Sequence, residues 1–314
     1  MHELLQELRQ LLDSYPGERV LIGEDEDVRF HGSHNDELHL VFNFPLMRTE
    51  RFSAEHVYRN QAERLAALPP GAWPCNTLGN HDAPRLLSRY GDGVHDQQLA
   101  RLNAAMLLML KGTPFLYNGE EIGMADLVLA ELEQLRDTAA IYQYQTMVSY
   151  QGVAPADALQ AAIATTRGRC RSPMQWDGSA HAGFCPAEVT PWLPVHANSA
   201  AGVHVAAQQA DPTSLLQFYR GLLRVRRENP ALHAGEYRPL SLNPVCLVFV
   251  REDASSGQQC LVALNYTDQP QPVPLGRTAQ RTLFSNARST DLPLQLEALQ
   301  LAAWEVLVVE LAEV

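Results

Sequence analysis

The sequence predicts an α/β protein in which helices pack on a parallel sheet, followed by a small antiparallel all-β domain. Two observations predict this. Short apolar runs alternate with helical patterns up to about residue 228, which is typical of a parallel sheet covered by helices. After Asn229-Pro230 the helical patterns end, and short β runs separated by Pro, Gly and Ser follow. We therefore expect one domain over residues 1–235 and a second over residues 236–314.

The first predicted element is a helix, because Leu4, Leu8 and Leu11 recur at helical spacing before Pro16-Gly17 ends the pattern. The apolar run Val20 to Gly23 then predicts a buried strand that ends in an acid cluster, Glu24 to Asp27. The same alternation continues along the chain. Further strands are predicted over Leu38 to Phe44, Trp73 to Gly79 and Thr113 to Tyr117, and helices over residues 53–68, 96–110 and 213–228.

Two regions complete the predicted organisation. A long insertion over residues 124–212 contains two polar helical stretches and the segment Arg171 to Asp177. The C-terminal region contains three apolar β runs, and its composition predicts an antiparallel, sandwich-like domain without convergent acids. These runs are Val245 to Val250, Gln259 to Asn265 and Trp304 to Leu311.

Composition excludes several classes of protein. The formal charge is −12 and the sequence has no basic patch, so we expect no nucleic-acid partner. No apolar run approaches the roughly 20 residues that span a bilayer, and the N-terminus lacks the features of a signal peptide. We therefore expect a cytoplasmic protein without a membrane partner. Five scattered cysteines without a CxxC pair predict reduced thiols.

Acidic residues follow three of the predicted strands, and the ends of parallel strands are where such folds place their active sites. These acids are Glu24, Asp82 and the pair Glu120-Glu121. Each acid taken alone has a simpler interpretation, since acids at strand ends often cap the next helix or face water. His31, His34 and His39 lack the carboxylate neighbours and the spacing of a zinc site. We therefore assign no metal and no cofactor.

Four segments occur in an order that resembles a known family. They are V-L-I-G-E (20–24), T-L-G-N-H-D-A-P-R (77–85), G-T-P-F-L-Y-N-G-E-E-I-G-M (112–124) and R-S-P-M-Q-W-D (171–177). Together they resemble the second half of the conserved regions of the α-amylase superfamily, in its α-glucosidase and oligo-1,6-glucosidase branch. The resemblance implies a partial (β/α)8 TIM barrel, comprising strands 5–8, before the β domain.

The resemblance also implies a role for each matching residue. Glu24 matches the general acid/base that protonates the glycosidic oxygen, and Asp82 matches the carboxylate that stabilises the transition state. His81 and Arg171 match residues that bind the sugar. We expect Glu24 and Asp82 to lie at neighbouring strand ends and to face one cavity with His81. Trp176 is expected to be a packing residue, as is Phe115.

The chain departs from the family pattern at the nucleophile. A retaining glycosidase needs a second carboxylate about 5–5.5 Å from the acid/base, and the family supplies it from a G-F-R-x-D-type segment that this sequence lacks. The motifs that precede this segment in the family are absent too, and Gly168 occurs where relatives often carry an acid. We therefore expect the first four barrel strands to be missing and the isolated chain to be inactive.

A four-stranded half-barrel would expose two strand edges and an apolar interior, which predicts a partner, aggregation or a misassigned start. If the chain has a partner, we expect it to be a separate N-terminal half-barrel chain or a second copy of this chain. The short N-terminus itself has three explanations: a misassigned start or frameshift, a genuine split enzyme, or a fragment retained for binding.

The expected function is that of a retaining α-glucosidase acting on α-linked gluco-oligosaccharides. Two alternatives remain open: a non-catalytic carbohydrate-binding or protein-interaction remnant, and half of a glucosyl-transferring relative of the trehalose synthase or sucrose isomerase type. Both α-1,4 and α-1,6 linkages fit the motifs, as do hydrolysis and transglycosylation.

Overall fold

The computed structural model describes residues 1–240 and 243–312, which form two compact units. The first unit comprises Met1–Leu78, Gln97–Phe115 and Tyr219–Val314, and the second comprises Gly79–Asp96 and Leu116–Phe218. The helices are α1 (His2–Asp13), α2 (Phe44–Met47), α3 (Ala54–Ala67), α4 (Leu86–Tyr90), α5 (Asp96–Met109), α6 (Thr138–Gln151), α7 (Pro155–Thr165), α8 (Val205–Ala210), α9 (Leu215–Glu228) and α10 (Pro230–Ala234). The strands are β1 (Ile22–Gly23), β2 (Leu40–Val41), β3 (Cys75–Thr77), β4 (Thr113–Phe115), β5 (Glu236–Pro239), β6 (Cys246–Glu252), β7 (Gln259–Asn265), β8 (Gln271–Pro272), β9 (Ala279–Ser285), β10 (Gln300–Leu301) and β11 (Val306–Leu311).

The four N-terminal strands form two parallel pairs, β1 with β2 and β3 with β4. All four strands are shorter than predicted, and within the described residues they do not join into one sheet. Side chains explain part of this difference. The Val41 carbonyl oxygen accepts hydrogen bonds from the Arg64 guanidinium at 2.5 Å and the Cys75 thiol at 3.2 Å, so it is engaged by side chains of other elements. The parallel direction is as expected, and the partial barrel stays a prediction.

A buried amide network joins helix α3 to the strands of the first unit. The Asn43 amide donates to the side-chain oxygens of Asn60 at 2.8 Å and Asn76 at 2.9 Å. Asn60 donates back to Asn43 at 3.1 Å, and Gln61 donates to Asn76 at 3.2 Å. All four side chains are buried, so these hydrogen bonds replace those that water would have made.

The C-terminal region forms a five-stranded antiparallel sheet in the order β5-β6-β7-β11-β9. Strands β6, β7 and β11 are buried along nearly their whole length, on both faces. The separate antiparallel pair β8–β10 contributes Leu301 to the same apolar cluster as Val248, Leu261 and Leu307.

Two long polar side chains connect this sheet with the helices of the first unit. The buried Arg251 guanidinium on β6 donates to the Met109 carbonyl oxygen, at the end of α5, at 2.8 Å. The Tyr58 hydroxyl on α3 accepts from the Val248 backbone N–H at 2.7 Å. The sheet therefore belongs to the same compact unit as α3 and α5, and the domain boundary near residue 235 stays a prediction.

The second unit has its own apolar cores. Helices α6 and α7 pack together around a cluster that includes Ala140, Ala162 and Leu193. A smaller cluster contains Ile122, Met124, Met174 and Leu216. The predicted insertion is therefore an ordered, helical part of the protein.

Two further predictions concern the cysteines and the membrane. All five cysteines lie in the described residues and are free thiols, of which four are buried and Cys185 is half-buried. Burial raises the pKa of the Cys75 and Cys170 thiols to about 11 and that of Cys246 and Cys260 to about 12. Among the helices of residues 1–240 and 243–312, none combines the length and apolar character that a bilayer crossing requires.

Candidate active site

Glu24 directly follows strand β1 in the first unit, and its side chain is exposed. The preceding residue packs closely, because a Cβ on Gly23 would lie 2.4 Å from Leu38 Cδ1 and would displace that side chain. After Glu24 the chain turns around Asp25, whose Oδ1 accepts the next two backbone N–H groups at 2.7 and 2.8 Å. Glu24 thus lies between a closely packed glycine and a turn that the Asp25 side chain stabilises.

The second unit begins with a turn that carries two of the predicted site residues. The Asn80 side-chain oxygen accepts the backbone N–H of Asp82 at 2.9 Å, which closes the turn. His81 Nε2 lies 3.5 Å from Asp82 Oδ1, and both side chains are roughly half exposed. The turn therefore presents an imidazole and a carboxylate side by side to solvent.

Two arginines hold the Asp82 carboxylate in position. Arg171 Nη2 lies 2.5 Å from Asp82 Oδ1, and its Nε donates to the His81 carbonyl oxygen at 2.7 Å. Arg167 Nη1 donates to the same Asp82 oxygen at 3.1 Å. Both arginines come from one short 3-10 helix, Arg167–Arg171, so a single element fixes the carboxylate.

Arg167 is itself held by the buried Asp137 at the start of helix α6. Its Nε and Nη2 donate to the two Asp137 oxygens at 3.1 and 3.2 Å, and its backbone N–H donates at 3.1 Å. Hydrogen bonding by the Arg167 side chain lowers the pKa of Asp137 to about 2. The same pair raises the pKa of Arg167, so both groups stay charged across the ordinary pH range.

The surroundings of this cluster are packed and polar. The Cys170 thiol donates to the His81 carbonyl oxygen at 3.3 Å. Asp126 accepts the Arg85 backbone N–H at 2.7 Å and lies 3.5 Å from the Arg169 guanidinium. A cavity of about 70 Å³ lies behind Asp82, lined by Asp126, Thr166, Arg167, Arg169 and Cys170 among others. Gly168 is buried inside the 3-10 helix.

The two acids after strand β4 support the loop. Glu121 accepts the Gly119 backbone N–H at 2.8 Å. Glu120 is buried, and burial raises its pKa to about 8. Its Oε1 would lie 2.3 Å from a Cβ on Gly79, so the carboxyl group packs against the start of the Asn80–Asp82 turn. Burial therefore favours the neutral form of the Glu120 carboxyl group.

Trp176 corrects one expectation from the sequence, because its side chain is 50% exposed and is not a packing residue. The chain is held here through its backbone: Trp176 N–H donates to the Ala182 carbonyl at 2.8 Å, and Ala206 N–H donates to the Trp176 carbonyl at 2.9 Å. The neighbouring Gln175 side chain is the buried one, and it donates to Asn198 at 3.2 Å. The backbone bonds leave the indole ring on the surface.

The structure brings His81, Asp82 and Arg171 together, and their roles toward a sugar stay a prediction. Glu24 belongs to the first compact unit and Asp82 to the second, so their common cavity stays a prediction. Sequence reasoning missed Arg167 and Asp137. No local signal in the sequence identifies them, because Arg167 and Asp137 are 30 positions apart and pair only in the folded chain.

Comparison with known proteins gives consistent matches. A family model described as the catalytic domain of α-amylase matches residues 1–235. The probable oligo-1,6-glucosidase 2 of Bacillus subtilis (strain 168) is 30% identical, over 93% of this chain and 55% of that protein. The α-glucosidase of Pediococcus pentosaceus is 32% identical, over 76% of this chain and 46% of that protein. The trehalulose synthase of Pseudomonas mesoacidophila MX-45 is similar in structure, with a TM-score of 0.83 and 28% identity over 99% of this chain and 58% of that one. The chain spans about half the length of these relatives.

Proposed function

Because the chain belongs to the α-amylase family, we propose that it contributes to a site that hydrolyses α-linked gluco-oligosaccharides in the manner of an α-glucosidase. The observation that carries this proposal is the Asp82 carboxylate, fixed by Arg167 and Arg171 beside His81. A carboxylate held in one position stabilises the positive charge that develops on a sugar ring in the transition state.

We assign four roles within this proposal. Glu24 protonates the departing glycosidic oxygen, Asp82 stabilises the oxocarbenium-like transition state, and His81 and Arg171 donate hydrogen bonds to sugar hydroxyls. Glu24 suits the role by its position, because it follows the C-terminal end of strand β1, where folds of this kind place catalytic residues. His81 and Arg171 suit hydroxyl binding because both carry N–H donors next to the Asp82 carboxylate.

The 314-residue chain alone is proposed to be inactive. Double displacement needs a carboxylate nucleophile, and none of the motifs in this sequence corresponds to the family's nucleophile segment. An acid/base alone contributes only about 10²–10⁴-fold to the rate. We therefore expect the purified chain to hydrolyse maltose, isomaltose or 4-nitrophenyl α-glucoside at the background rate.

The experiment supplies a nucleophile from a relative. The N-terminal segment of the Bacillus subtilis relative, up to the point where the present chain aligns, is co-expressed with this chain or fused to it. We expect hydrolysis of 4-nitrophenyl α-glucoside to appear. It should fall by about 10²–10⁴-fold in Glu24→Gln, which cannot donate the proton, and by at least about 10² in Asp82→Asn.

Glu63→Gln on the exposed face of α3 is the matched control, and it should retain full activity in the complemented enzyme. Hydrolysis that survives Glu24→Gln would contradict the assignment of the proton donor. Clear hydrolysis by the unsupplemented chain would contradict the requirement for an external nucleophile. If the complemented protein folds and binds maltose in calorimetry but hydrolyses nothing, the chain is a carbohydrate-binding module.

A second candidate function is glucosyl transfer within sucrose, and the structural relatives favour it. Several of them are trehalulose synthases, and one is a variant in complex with the substrate sucrose. The two reactions share the glucosyl step and differ in the acceptor, which is water in hydrolysis and fructose in isomerisation. Chromatography of the products from sucrose separates them, because hydrolysis releases glucose and fructose in equal amounts whereas isomerisation yields a new disaccharide.

A further inference from the structure

One face of helix α9 carries a row of arginines in a protein whose net charge is −12. Arg220, Arg224 and Arg227 are four and three residues apart, so their side chains share one face of the helix. All three are exposed, and none has an ion pair with an acid in the part of the chain that the structure describes. In an acidic protein an unpaired row of this kind favours an acidic partner.

The row borders a cavity of about 530 Å³ in the first unit, whose wall also includes Leu223, Pro114 and His233. Leu223 is 41% exposed, so the basic rim surrounds an apolar patch. Arg226 adds a further positive charge behind the wall, because its buried guanidinium donates only to carbonyl oxygens, including that of Gly112 at 2.6 Å. A partner that fits this surface combines apolar side chains with flanking carboxylates.

Helix α1 of the same chain presents such a surface. Leu4, Leu8 and Leu11 lie on one face and are 68%, 44% and 56% exposed, with Glu3 and Glu7 exposed beside them. The other face is anchored, which fixes the orientation of the helix. His2 Nδ1 lies 2.9 Å from a Glu37 oxygen, Gln6 donates to Asp36 at 3.1 Å, and Arg9 donates to the Glu37 carbonyl oxygen at 3.2 Å. The leucines are thus held outward.

We propose that two copies of this chain associate, with the leucine–glutamate face of α1 in one copy docked on the arginine face of α9 in the other. Apolar burial of the leucines against Leu223 supplies attraction. The pairing of Glu3 and Glu7 with the arginines supplies orientation and offsets the repulsion between two acidic chains. A two-fold axis makes the contact twice and closes the assembly as a dimer. The proposal is independent of the catalytic assignment.

Charge exchange tests the pairing. We expect light scattering after gel filtration to give twice the chain mass for the unmodified protein. The double variant Arg224→Glu/Arg227→Glu should dissociate, with a dissociation constant raised by about tenfold or more, because like charges then face each other. The double variant Glu3→Arg/Glu7→Arg should dissociate in the same way. An equimolar mixture of the two variants should form dimers again, because both contacts then pair opposite charges.

Arg51→Glu/Arg59→Glu is the matched control, since it makes the same change in net charge at two other exposed arginines of the first unit. It should remain dimeric. A monomeric unmodified protein, a dimer that resists the Arg224→Glu/Arg227→Glu change, or a failure of the mixed variants to reassociate would each overturn the proposal. If Arg224→Glu/Arg227→Glu instead abolishes capture of a different acidic protein by a monomeric chain, the partner is that protein and the proposal is wrong.

Discussion

At Glu120 the folded protein encloses a carboxyl group whose two oxygens have no hydrogen bond of good geometry in the described residues. Its pKa rises from 4.5 to about 8, first because of burial and further because of the nearby Glu121 carboxylate. The Tyr117 backbone acts in the opposite direction and lowers the pKa, as does the Arg85 guanidinium through a weaker charge interaction. The group therefore keeps its proton in the folded state at pH values where the unfolded chain has lost it.

This difference predicts a pH dependence of stability. Below pH 4.5 Glu120 is neutral in both the folded and the unfolded state and does not lower the free energy of unfolding. Between pH 4.5 and about 8 its carboxyl group ionises only in the unfolded state. The free energy of unfolding should then fall by up to about 1.4 kcal/mol per pH unit as the pH rises toward 8. Glu120→Gln keeps the shape and should lack this slope in urea unfolding at pH 5, 6.5 and 8.

Glu133→Gln, at an exposed acid of the same unit, serves as the control and should unfold with the pH slope of the unmodified protein. Parallel pH profiles for Glu120→Gln and the unmodified protein would contradict a buried, neutral Glu120.

The site residues differ in how far the sequence predicts them. Asp82 and His81 occur together in one short motif, so their proximity is fixed by a local turn closed by Asn80. In the sequence Arg167 lies 85 positions after Asp82 and 30 positions after Asp137. No local pattern predicts that these side chains pair. Contacts of this length depend on tertiary packing, and sequence reasoning therefore found the carboxylate but not the residue that holds it.

At the scale of the elements, helix α3 buries polar side chains whose hydrogen bonds connect it to the rest of the first unit. Asn60→Leu should remove the partner of the Asn43 amide and leave polar atoms unpaired in the interior. We expect the free energy of unfolding to fall by about 2–3 kcal/mol in urea denaturation. Arg59→Leu, on the exposed neighbouring position, should change it by less than about 0.5 kcal/mol. Equal effects for the two variants would contradict a structural role for the network.

Helices were predicted more accurately than strands, for a local reason. The predicted helix over residues 53–68 is observed as Ala54–Ala67, because Ser53 accepts the His56 N–H at 3.2 Å and so sets its start from within the segment. The predicted strand Leu38 to Phe44 is observed only as Leu40–Val41. Arg64 donates to the carbonyls of Val41 and Phe42, and a side chain more than 20 positions away is invisible to an apolar pattern.

At the scale of the whole molecule, the C-terminal sheet supports the helices of the first unit. A chain that ends at residue 235 lacks the hydrogen bond from Arg251 to the end of α5. It also lacks the hydrogen bond from the Val248 backbone N–H to the Tyr58 hydroxyl. It also exposes apolar atoms that the sheet covers. We expect this shortened chain to lack a cooperative thermal transition in circular dichroism, although all four parallel strands remain in it. A cooperative transition close to that of the full chain would establish residues 1–235 as an independent domain.

The buried thiols have a practical consequence for labelling. Four sulfurs are enclosed, and at neutral pH their raised pKa values leave almost none of them as reactive thiolate. Cys185 is the half-buried exception, and it lies in the second unit. The folded protein therefore offers one attachment point for a fluorophore or spin label without removal of any cysteine. A probe at that point would report on the second unit, while the other four thiols become reactive only when the chain unfolds.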